Sequence, residues 1–189
     1  SDLTGTNLTN QQLTDFEGVL KKFKGKYPKI NEMFDAISKL ENKPKVYLSS
    51  EETKGNVGRY DQKTNTIYYR DGTALGSDGG LEEFIHVAQY QICYSNENPS
   101  VRNIEFEAKM FYDLNCVIAG DLPSWSTRGI SENAQMLLSD FMETLTSTQH
   151  LTSDLLQIYH ELGKQWNDPD YQIGKYNDSI GPKLIQTFY

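Results

Sequence analysis

Glu82-Glu83-Phe84-Ile85-His86 combines residue types and spacing that suit metal-assisted hydrolysis, with one change from the usual pattern. Residues four apart lie above one another on a helix face, so Glu82 and His86 can both reach one ion. In the HExxH pattern both ends are imidazoles on Zn²⁺, and the glutamate after the first is the general base. Here Glu83 stands at the base position and His86 at the second imidazole. The first-ligand position holds Glu82, a carboxylate of harder ligand character and shorter reach than histidine.

The same residues also have a purely structural explanation. Ser77-Asp78-Gly79-Gly80 reads as a helix start with Asp78 as N-cap, which would put Glu82 and Glu83 in a first turn where the helix dipole favours carboxylates. The neighbouring elements weigh against that explanation being sufficient. Val46-Tyr47-Leu48 is a β-prone run, and Gly58 to Arg70 reads as two strands around a polar turn at Asp61 to Asn65. A hairpin therefore leads into the motif helix. After a loop from Ser95 to Ser100, a second helix is expected from Ser100 to Ile118, with Val101, Ile104, Ala108, Phe111, Leu114 and Ile118 on its apolar stripe. Glu107 falls inside that stripe and should point inward, where a carboxylate needs a partner. That partner is either a metal, or a basic residue such as Arg59 or Arg102, or a tyrosine hydroxyl. Glu105 falls at the stripe's margin and is read as a solvated charge.

From Lys43 to Ile118 these segments resemble the zincins, and within them the gluzincin type, whose third metal ligand is a glutamate on the next helix. The resemblance rests on Tyr60 to Tyr68, on Leu81-Glu82-Glu83-Phe84-Ile85-His86-Val87-Ala88-Gln89, and on Asn103-Ile104-Glu105-Phe106-Glu107-Ala108. It implies His86 and Glu107 as metal ligands, Glu83 as general base, and Glu82 in the place of the first ligand. The fold it implies is α+β, mostly helical, with a small antiparallel sheet or hairpin before the motif helix. Three functions follow from different readings of Glu82. In the first, the chain is a zincin-like protein with a degenerate site, non-catalytic, needing no cofactor, and binding a peptide or protein ligand along the strand near Ile67 to Tyr69. In the second it is an atypical Zn²⁺-dependent peptidase with Glu82, His86 and Glu107 as ligands and Glu83 as base. In the third it is a carboxylate-rich metal site in a helical bundle, which the hairpin disfavours.

No second site of this kind is expected. His160-Glu161 continues Leu162-Gly163-Lys164 without a second histidine and reads as a surface dyad, and His150 ends the polar stretch Thr146-Ser147-Thr148-Gln149. If His86 and Glu107 meet at one metal on antiparallel helices, Cys93 and Cys116 lie on the order of 20 Å apart, too far for a disulfide.

The rest of the chain reads as helices around this unit. Asn10 to Phe23, Pro28 to Leu40, Ser131 to Leu145 and Ser153 to Trp166 each carry an apolar stripe, and Trp125 in the loop from Gly120 to Ser126 either lines a cleft or plugs the core, the second being favoured. The tail from Asn167 to Tyr189 reads as an irregular cap with one short terminal helix. All of this is expected within one domain, residues 1–189, with N-terminal helices at 10–40, a core unit at 43–118 and a helical extension at 131–189. With 18 basic and 26 acidic residues the net charge is -8, which argues against nucleic acid as a partner. No apolar run approaches the ~20 residues of a membrane span, so a soluble chain is expected. The chain opens at Ser1, not methionine, and the attached expectation is an exported protein whose targeting segment has been removed.

Overall fold

A computed structural model describes residues 5–171 and 174–189. The chain divides into two compact units, one ending at Ser95 and one beginning at Asn96. The fold is α+β and mostly helical, with a small mixed sheet in the first unit.

In the first unit, helix α1 (Asn10–Lys26) starts at a capping box. Gln12 N–H donates to Thr9 Oγ1 at 3.2 Å, and Thr9 N–H donates to Gln12 Oε1 at 3.0 Å. Helix α2 (Pro28–Ser38) opens on proline, whose missing N–H is no loss at a first helical position. Phe16 and Leu20 of α1 and Ile30, Met33, Phe34 and Ile37 of α2 are buried, as their helical spacing requires.

The sheet comprises β1 (Lys45–Leu48), β2 (Gly58–Asp61) and β3 (Thr66–Tyr69), with the one-turn helix α3 (Ser50–Thr53) between the first two. β2 and β3 form the expected hairpin, pairing Tyr60 with Ile67. β1 adds a third strand, parallel to β3, with Val46 opposite Ile67 and both fully buried. A parallel pair needs a crossover, which α3 and β2 supply. The strand order β1-β3-β2 makes β3 the central strand. The segment Ile67 to Tyr69 is therefore already paired on both sides and has no edge for an added peptide. β1 and β2 are the outer strands, and β1 is bridged at Val46 to Thr6.

Helix α4 (Asp78–Ala88) carries the motif. Its N-cap is Ser77, not Asp78: Gly80 N–H donates to Ser77 Oγ at 3.2 Å, and Asp78 is the first-turn acid. Serine can take the extended cap conformation while its hydroxyl accepts from the first turn. Phe84 anchors the helix, with ring centroids 5.1 Å from Phe34 and 6.0 Å from Phe16. Beyond Ala88 the helix widens into a π-turn, Gln89–Cys93, closed by Tyr94 N–H donating to Gln89 O at 2.7 Å.

The second unit is built on α5 (Val101–Ala119), capped by Ser100 and ended by Gly120 at a left-handed φ of 80°. α6 (Gln135–Thr148) starts later than its apolar stripe suggests, because Glu132–Ala134 winds as a 3₁₀ turn. α7 (Ser153–Gln165) comes next in the chain, and α8 (Lys183–Phe188) is the short terminal helix. Phe106 centres this core, 5.1 Å from the Tyr159 ring and 5.6 Å from Trp166. Trp125 is half-buried and stacked on Tyr112 at 3.7 Å, so it covers α5 instead of plugging the core. Neither Cys93 nor Cys116 is in a disulfide. No described helix is long and apolar enough to cross a membrane.

Candidate metal centre

The cap at Ser77 decides where the motif carboxylates stand. Counting from Asp78, Glu82 and Glu83 are the fifth and sixth helical residues, beyond the first turn in which the dipole would account for them. Glu82 is half-buried and shares a helix face with His86, which is buried. Glu83 points elsewhere, toward the outer strand β2. It is buried, and a Cβ added at Gly58 would lie 2.8 Å from its Cγ and 3.1 Å from its Oε1. Only glycine lets the strand come that close.

Other polar groups fix the helix and its extension. The fully buried Tyr69 donates its hydroxyl to Gly80 O at 2.6 Å, and burial, with the Glu83 charge, holds it well above the usual tyrosine range. It remains a donor. His86 Nδ1 lies 2.9 Å from Gln89 Oε1, both side chains buried. From the π-turn, Gln91 Nε2 donates to Tyr60 Oη at 2.8 Å, and Tyr60 donates on to Asn65 Oδ1 at 2.9 Å. Burial pushes the Tyr60 phenol up to about 12, so it too stays protonated.

On α5 the three acids have separate surroundings. Glu107 is 1% exposed, as its place in the stripe predicts, and its Oε2 accepts from Leu184 N–H at 3.0 Å and Ile185 N–H at 3.4 Å. That oxygen is held by the first turn of α8. Asp113 accepts from the backbone N–H groups of Ser124, Trp125 and Ser126 and from the Ser126 hydroxyl. Glu105 is half-buried and 3.8 Å from Lys109 Nζ, an amine that sits 4.0 Å over the Tyr171 ring.

Glu82, His86 and Glu105 each offer one ligand atom, and these atoms all lie within 4.8 Å of one another. This group could hold a metal ion. Two of its members, Glu82 and His86, are the expected ligands. The third is Glu105, which its position at the stripe's margin assigned to solvent, and Glu107 is not in the group. One signal for Glu105 was available, namely its i,i+4 spacing from Lys109, a cation on the buried side of α5. Two carboxylates and one imidazole suit Zn²⁺ and the harder divalent first-row ions alike.

The two remaining histidines join no such group among the described residues. His150 is exposed. His160 is half-buried, not at the surface as expected, with Nδ1 2.7 Å from Tyr176 Oη and its pKa lowered by burial.

No family model, curated protein or solved structure matches the chain.

Proposed function

We propose that the chain is a zincin-like, metal-dependent hydrolase of peptide bonds, holding one divalent cation through Glu82, His86 and Glu105. The observation that carries this reading is the presence of Glu82 in a three-residue ligand group, because a hydrolase with this motif needs the carboxylate at 82 to take the part of the missing imidazole. Zn²⁺ is the cation the motif favours, and when bound it supplies Lewis acidity toward a carbonyl. Glu83 is the general base. It comes directly after Glu82, so it leaves α4 on a different bearing, and its burial against Gly58 holds one rotamer ready to accept a proton from water. The outer strand β2, which runs past Glu83, is the edge available to align an extended peptide by main-chain hydrogen bonds.

A second reading is supported by the replaced imidazole itself. Glu82 binds Zn²⁺ less selectively than histidine, and the chain would then serve as a non-catalytic peptide-binding module on the same scaffold. The experiment that separates the two uses purified chain titrated with Zn²⁺ and Mn²⁺ by calorimetry, and then peptide-library hydrolysis. Stoichiometric binding lost in Glu82→Ala, His86→Ala and Glu105→Ala, with hydrolysis lost in Glu83→Gln while binding persists, supports the hydrolase. Metal binding without hydrolysis selects the binding module. No binding by the parent chain overturns the metal site.

A further inference from the structure

We infer that Gln89 is a positioning residue for the metal centre: it holds His86 in the Nδ1–H form, so that Nε2 is the nitrogen presented to a cation. The inference rests on the metal-binding reading for its consequence, but its chemical content is a property of the metal-free chain.

A neutral imidazole carries its proton on one nitrogen and a lone pair on the other, and the lone pair is what a metal takes. Gln89 presents its carbonyl oxygen to Nδ1 at 2.9 Å. A carbonyl oxygen accepts only, so the proton of this pair must sit on Nδ1. That leaves the Nε2 lone pair as the ligand and, by electron release from the hydrogen-bonded N–H, makes it a better one. Gln89 is 0% exposed, so no solvent competes for its oxygen. Its backbone is fixed as well, because Gln89 O closes the π-turn by accepting from Tyr94 N–H at 2.7 Å. The π-turn begins at this residue, and such turns gather at functional sites. Burial of an amide and an imidazole against each other, with main chain and side chain of Gln89 both engaged, fixes the ring's rotation as well as its proton.

The test reads the tautomer first. With three histidines in the chain, ¹⁵N-labelled metal-free protein at mildly alkaline pH resolves each ring in a long-range ¹H–¹⁵N spectrum. The expected result is a protonated Nδ1 at His86 in the parent chain, a changed pattern at that nitrogen in Gln89→Leu, and the parent pattern in Gln89→Glu, which keeps an acceptor oxygen. Zn²⁺ affinity should then fall about 10- to 100-fold in Gln89→Leu and stay near the parent value in Gln89→Glu. A bare Nδ1 at His86 in the parent chain overturns the inference, even if Gln89→Leu fails to fold. An unchanged tautomer and unchanged affinity in Gln89→Leu also overturn it, leaving the metal site standing. If the parent binds no metal, the site reading fails while the tautomer result still decides whether Gln89 sets the ring.

Discussion

Glu105 and Glu107 lie two positions apart on α5, so their side chains leave the helix about 200° apart. Glu107 faces inward and accepts the amides that open α8. Glu105 stands beside the Lys109 ammonium and within reach of Glu82 and His86. One carboxylate ties the terminal helix to the core, while the other belongs to a group of ligand atoms. The contrast teaches that a buried carboxylate has partners to hand besides an ion. Backbone N–H groups satisfy a buried carboxylate as fully as an ion does, and they do so wherever a helix start or a tight loop needs an acceptor. Asp113 repeats the lesson six residues on, gathering the loop from Ser124 to Ser126 with four hydrogen bonds.

The largest expected effect tests this structural role at Asp113. Asp113→Ala strands three backbone donors and a hydroxyl, and should cost about 3–5 kcal/mol in urea unfolding. Asp113 also gives a pH dependence of known sign. Burial holds its carboxyl above the usual range, outweighing those hydrogen bonds. The folded chain thus keeps this proton to higher pH than the unfolded chain. The contribution to stability is full below the unfolded carboxylate value and is lost as pH rises through the raised folded value. Urea midpoints from about pH 3 to pH 7 should show that decline in the parent and a flatter profile in Asp113→Asn.

Next comes the pair itself. Glu107→Ala should lose about 3 kcal/mol of stability, from two stranded N–H groups, with Zn²⁺ affinity unchanged well below the unfolding transition. Glu105→Ala should do the reverse, losing about 100-fold in Zn²⁺ affinity, roughly 2.7 kcal/mol, for a smaller stability change. Equal loss of affinity in both variants would erase the distinction drawn between them.

A smaller effect sharpens the picture of Glu105. Lys109 places a positive charge 3.8 Å from it, and that charge disfavours a cation bound at the same carboxylate. Lys109→Met should therefore raise Zn²⁺ affinity, on the order of tenfold, as read by calorimetry. A fall in affinity would mean that Lys109 orients Glu105 and does not compete for it.

The sequence made much of this legible because the decisive signals were local. The stripes of α1, α2, α5 and α7, the hairpin of β2 and β3 and the inward turn of Glu107 all arise from period and neighbours within a few residues. What stayed hidden was set by partners far along the chain. The acceptor role of Glu107 depends on Leu184 and Ile185, and the parallel pairing of β1 depends on β3 across an intervening helix and strand. Neither leaves a periodic trace. The choice of Ser77 over Asp78 as cap was a contest between two good capping residues, decided by where the preceding turn delivers the chain.

The π-turn at Gln89–Cys93 has a consequence for how this segment tolerates change. A π-turn spends one more residue on its closing hydrogen bond than an α-turn does. Deleting a single residue there would let α4 run on as an ordinary helix, re-aiming the side chains inside the turn while those past it keep nearly their present bearing. Gln91 would swing away from Tyr60, although neither residue had been altered. The segment behaves as a vernier of one residue: its length, more than its chemistry, sets the bearing of the residues within it, so insertions and deletions should be felt there more sharply than substitutions.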